Sequence, residues 1–80
     1  MSNCQNIRMR DDRLYILGNN IKAERVRKNL SQMELAELIN KSKDSIYKIE
    51  NGTQTPSALI VFDIAKALNI SIEKLYESIN

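Results

Sequence analysis

Residues 31–52 read SQMELAELINKSKDSIYKIENG, and the spacing of their apolar side chains sets out two short amphipathic helices joined by a tight polar turn. Ser31 is followed three positions later by Glu34. That is a capping box, in which the hydroxyl takes the Glu34 amide while the carboxylate reaches back to the Ser31 amide, so a helix starts there. Leu35, Leu38 and Ile39 give it one apolar face, Ala36 leaves room for a close neighbour, and Asn40 suits the left-handed backbone that ends it. A second helix follows almost at once. Ser42 caps it, Ile46 and Ile49 lie on its inner side, and Asn51-Gly52 supplies the stop. Its outer face then holds Lys43, Asp44, Tyr47, Lys48 and Asn51, at i, i+1, i+4, i+5 and i+8. A face of this kind can hydrogen-bond the base edges of a DNA major groove.

Composition narrows the field around this motif. For eighty residues, one domain with a single small core and no separate sensor domain is expected. No stretch approaches the roughly 20 apolar residues of a membrane span, and the start of the chain lacks the apolar run of a signal peptide, so a cytoplasmic location with no membrane contact is expected. Cys4 is the lone cysteine and histidine is absent, which excludes an intrachain disulfide and a Cys/His zinc site; no metal or cofactor is expected. Cys4 itself reads as a free thiol in a mobile tail. The net charge is only +2, yet residues 1–48 carry ten Lys/Arg against six Asp/Glu, whereas residues 49–80 carry two against four. The basic half contains the two-helix motif, which favours a polyanionic partner on that side.

The rest of the chain also follows a helical period. Leu14, Leu17 and Ile21 suggest a first helix from about Asp12 to Asn29 with Gly18 as a weak point, and Leu30 packs the joint behind it. Thr55-Pro56-Ser57 opens a fourth helix whose Val61, Phe62, Ile64, Ala65 and Leu68 supply core and whose end is Asn69. Ser71 caps a fifth, with Glu73 near the positive end of its dipole and Leu75 and Tyr76 closing the bundle. No alternating run argues for a strand. Residues 1–11 have no period and are expected to form a flexible arm ahead of a domain at 12–80. Arg8, Arg10 and Arg13 could extend toward DNA, but Asp11 and Asp12 dilute their charge, which favours disorder over contact.

The ordered elements R…LSQMELAELI, SIYKIENG, TPS and IAKALNIS, spread from Leu17 to Ile79, resemble the phage-repressor/Cro, or XRE, family of helix-turn-helix proteins. That resemblance implies an all-α, five-helix, lambda-repressor-like domain that binds double-stranded DNA, dimerises on palindromic operators and regulates transcription. It also implies residue roles. Gln32 matches a position that bonds a phosphate and braces the recognition helix; Ser42, Lys43, Asp44 and Lys48 match positions facing base edges; Asn51 matches a backbone contact. Arg25 and Glu50 match a partly buried ion pair tying helix 1 to the end of helix 3. Two positions depart from the pattern. Asn40 stands where glycine is frequent, and Lys41 replaces an apolar turn residue, its stem free to cover the core while its ammonium reaches toward a phosphate.

Several of these residues have a second use. Asp44 can accept from cytosine N4 or pair with Lys48 one turn on, and Tyr47 can meet a phosphate or simply cover the helix. An enzyme is not expected, because no histidine, activated cysteine or glycine-rich phosphate loop is present. The rival is a protein-binding role, as an antitoxin or anti-regulator. Residues 58–62 read ALIVF, too wide an apolar run for one face of a helix. With Val61 and Phe62 inward, Leu59 and Ile60 are expected to be exposed, and with Ile72 and Ile79 from the fifth helix to form a homodimer interface.

Overall fold

The computed structural model describes residues 12–79, and its backbone there forms five helices: α1 (Asp12–Arg27), α2 (Gln32–Leu38), α3 (Lys43–Glu50), α4 (Ala58–Leu68) and α5 (Ile72–Leu75). No strand occurs among the described residues, so the all-α expectation holds. The segment expected to be a flexible arm, with Cys4, Arg8 and Arg10, lies outside the described residues.

Local chemistry sets the helix ends. Ser31 caps α2 by the full capping box, its Oγ accepting from Glu34 N at 3.0 Å and its own N–H donating to Glu34 Oε1 at 2.8 Å. Ser42 and Ser57 accept from Ser45 N and Ile60 N in the same way. Ser71 departs from expectation: its backbone is extended as a cap requires, but its side chain makes no cap bond. Four helices then close with one device. The residue entering the left-handed region is Asn29, Asn40, Gly52 and Asn69 in turn, at φ 61°, 59°, 75° and 57°. In each case the following amide reaches back five residues, as in Leu30 N to Arg25 O and Thr53 N to Lys48 O, which satisfies carbonyls that would otherwise be left open. This closure is also why α1 stops at Arg27 rather than Asn29.

Leu17 and Ile21 of α1, Leu35, Ala36 and Ile39 around α2, Ile46 and Ile49 of α3, Val61, Ile64, Ala65 and Leu68 of α4, and Leu75 make the core. Helix α1 runs behind the others and touches α3, α4 and α5, while α2 and α3 form the tightest pair. Gly18 is no weak point. It is buried where α1 crosses α3, and a Cβ there would lie 2.7 Å from the Glu50 carbonyl oxygen and closer still to that of Ile49. The helices approach at a distance that only glycine permits.

The core differs from expectation in several places. Leu38 is 59% exposed, leaving Leu35, Ala36 and Ile39 as the inner face of the α2 segment. Phe62 is 49% exposed, with the Lys66 ammonium 5.6 Å from its ring centre, while Ile60 tucks partly against the core. Both residues flank Val61 by about 100° of helix rotation, in opposite senses, so packing chooses between them. Ile79 is likewise partly buried against the core, and Tyr76 remains exposed where Leu75 closes the bundle. Asn20 anchors this C-terminal end by donating to Leu75 O at 2.9 Å and Glu77 O at 2.8 Å.

Candidate nucleic-acid interface

Three helices converge on a single carboxylate. Glu50, at the end of α3, receives a two-pronged contact from Arg25 of α1: Nε donates to Oε2 at 2.7 Å and an Nη to Oε1 at 3.0 Å. The other Nη of Arg25 donates to Leu30 O at 2.7 Å in the α1–α2 turn. Gln32, the first residue of α2, completes the set by donating from Nε2 to Glu50 Oε1 at 3.0 Å. The side chains of Arg25 and Glu50 are 9% and 1% exposed. A buried pair of this geometry is costly to break, because removal of one partner leaves a desolvated charge. Directional contacts and the Gly18 crossing therefore fix how α3 projects from the body of the protein.

The opposite side of α3 faces solvent. Lys43, Asp44, Tyr47, Lys48 and Asn51 are all exposed along it, and Lys41 is exposed in the turn that precedes it. Gln32, Lys43, Asp44 and Tyr47 line one open cleft, where the start of α2 meets the outer surface of α3. The side-chain amide of Gln32 thus bonds Glu50 from the edge of that cleft. Ser42 sits at the edge, with its hydroxyl accepting from Ser45 N at 3.1 Å and donating to Ser45 Oγ at 3.0 Å, so it already serves the helix end. Asp44 and Lys48 meet as an ion pair at 3.1 Å across one turn. The structure brings Gln32, Lys43, Asp44 and Tyr47 together and leaves Asn51 at the far end of the helix.

Ser45 and Thr53 belong to this region although sequence reasoning passed over them. Thr53 donates from Oγ1 to Lys48 O at 3.2 Å, closing the end of α3 beyond Gly52. The Ser42-to-Ser45 interval repeats the Ser31-to-Glu34 spacing and was the available signal for Ser45. No group of three or more metal-binding side chains occurs among the described residues, and no described helix is long and apolar enough to cross a membrane.

The expected association residues do not form one uniform face. Leu59 is 74% exposed and Ile72 is exposed, but Ile60 and Ile79 are partly buried against the core, which corrects the expectation for those two. Their burial follows from the flank of α4 that turns inward and from the chain folding back after α5. Phe62 and Tyr76, expected inside, are exposed as well.

The chain resembles known proteins along most of its length. A family model described as HTH_3, helix-turn-helix, matches residues 21–75. Over 60 residues, 75% of this chain and 91% of the relative, it is 36% identical to an HTH-type transcriptional regulator of Methanocaldococcus jannaschii. Over 56 residues, 70% of this chain but 35% of the relative, it is 34% identical to the antitoxin PezA of Streptococcus pneumoniae. Among solved structures, the restriction-modification controller protein C.AhdI from Aeromonas hydrophila matches 82% of this chain and 100% of its own, with a TM-score of 0.80 at 27% identity. With its capped α2–α3 pair, fixed α3 and matched residues 21–75, the chain belongs to the HTH_3 helix-turn-helix family of DNA-binding transcriptional regulators, which are not enzymes.

Proposed function

We propose that this protein is a cytoplasmic repressor that binds a palindromic operator as a homodimer, with α3 of each subunit in the major groove. The observation that carries it is the contrast across α3: one side is fixed by Arg25, Gln32 and Glu50, and the other presents Lys43, Asp44, Tyr47 and Lys48 to solvent. Base readout requires such a helix, rigidly held and polar outward. Lys43, Asp44, Lys48 and the edge residue Ser42 face base edges in this arrangement. Gln32, Lys41, Tyr47 and Asn51 meet the backbone and set register. Leu59 and Ile72 supply exposed apolar surface for the second copy, placing two α3 helices about 34 Å apart. Repression needs only occupancy, since a bound dimer excludes whatever else would use the same DNA.

Salt titration tests the DNA assignment. With roughly four to eight phosphates contacted per dimer, log affinity falls against log salt with a slope of about −4 to −7. A flat dependence would remove DNA as the ligand. A second role, with a protein as main partner, is favoured by the similarity to an antitoxin and by the 74% exposure of Leu59. Co-purification with a stoichiometric second protein that masks Leu59 would support it.

A further inference from the structure

We propose that Asp44 and Lys48 act as one unit that reads a single G·C base pair in each half-site, with Lys48 over guanine and Asp44 over cytosine. The proposal rests on placing α3 in the major groove and deepens it by naming the base pair that two residues share.

Asp44 Oδ2 and Lys48 Nζ lie 3.1 Å apart, with side chains 69% and 50% exposed. They offer an acceptor and a donor side by side, on the surface assigned to DNA. The major-groove edge of a G·C pair presents guanine N7 and O6 as acceptors, followed by the cytosine N4 donor. Guanine O6 and cytosine N4 are joined by their own base-pairing bond and so stand about 2.9–3.0 Å apart. The spacing of the dyad therefore matches that of its target.

The proton count also closes. An ammonium has three donors. One goes to Asp44, which leaves two for guanine O6 and N7. The carboxylate retains lone pairs for the cytosine N4 proton that base pairing does not use. The ion pair stays intact on binding, so neither charge enters the groove unpaired.

An A·T pair also places a donor beside an acceptor, at adenine N6 and thymine O4, but the flanking atoms are wrong. Asp44 over N6 would lie next to the N7 acceptor, and Lys48 over O4 would meet the thymine methyl. The neighbours of the G·C contact are favourable on both sides: N7 accepts from the ammonium, and no methyl stands beside cytosine N4. This distinguishes G·C from A·T, and the order of the two residues along α3 distinguishes G·C from C·G.

Selection from random DNA by the full chain provides the test, applied to the wild type, Asp44→Ala, Lys48→Ala, the double alanine variant and the exchange Asp44→Lys with Lys48→Asp. Both positions are exposed, and thermal melting by circular dichroism checks that each variant is folded. The two single variants should lose discrimination at the same base pair, by about 5- to 150-fold. The double variant should lose little more, and the exchange should turn the preference to C·G. Relaxation at two different base pairs, an A·T preference at the shared position, or an exchange variant that keeps G·C would each overturn the coupling while leaving DNA binding in place. A wild-type chain that selects no sequence would overturn the groove assignment as well.

Discussion

The α1–α3 half and the α4–α5 half of this small domain are held by different forces. Around α3, three helices share directional contacts to one buried carboxylate, and glycine allows α1 to approach within backbone distance. Around α4 and α5, apolar contact dominates, and Leu59, at 74%, is the most exposed large apolar side chain among the described residues. A directional network sets orientation, because hydrogen bonds fail when angles change, whereas apolar contact tolerates sliding. The half that presents a recognition helix needs the first kind of support. A half that associates with another chain can use the second.

Removal of the shared carboxylate should break this contrast most severely. Glu50→Ala leaves Arg25 charged and buried and deprives Gln32 of its acceptor, with an expected loss of about 3–5 kcal/mol in unfolding free energy. Urea denaturation measures it. A loss below about 1 kcal/mol would mean that the network does not hold α3.

Gly18→Ala tests the close crossing of α1 and α3. Helix propensity alone favours alanine by about 1 kcal/mol. The added methyl, however, meets backbone oxygens of residues 49 and 50 that cannot rotate away, so a net loss of about 1–3 kcal/mol is expected. An increase in the urea midpoint would show that the helices separate freely.

The smallest effect on stability is expected in the other half. Leu59→Glu with Ile72→Glu changes exposed positions and should alter unfolding free energy by no more than about 0.5 kcal/mol per site. Sedimentation should nevertheless show a folded monomer that no longer binds a full palindrome. An unchanged dimer would place the interface elsewhere. Ile60 is unsuitable for this test because it is partly buried against the core.

What was legible in sequence divides along another line, between local events and contacts that wait for the fold. Helix starts at Ser31, Ser42 and Ser57, and stops at Asn40, Gly52 and Asn69, are local events spanning a few residues, and composition at those positions determines them. The outward residues of α3 were readable because Ile46 and Ile49 fix the rotation of that helix. No such anchor exists in ALIVF, where Ile60 and Phe62 are equivalent flanks until the neighbouring elements are placed. Two long-range contacts left no pattern in the chain: the Asn20 bonds span more than fifty residues, and the Gly18 crossing depends on a helix that starts 25 positions later, whereas the Arg25–Glu50 pair was expected through the family resemblance. Gln32 was expected to brace α3 by resemblance, but its acceptor, Glu50, emerged only in three dimensions.

The Asn51-Gly52 stop also bears on chemical ageing. In an Asn-Gly sequence, the glycine amide nitrogen can attack the asparagine side-chain carbonyl, expel ammonia and form a succinimide that water opens to aspartate or isoaspartate. Here Gly52 is buried and its N–H donates to Ile49 O at 3.1 Å, which withdraws that nitrogen from attack while the end of α3 stays closed. The turn that terminates the helix thereby guards its own most labile peptide unit, and the rate at which a stored sample acquires negative charge at Asn51 becomes a clock for how often that turn opens.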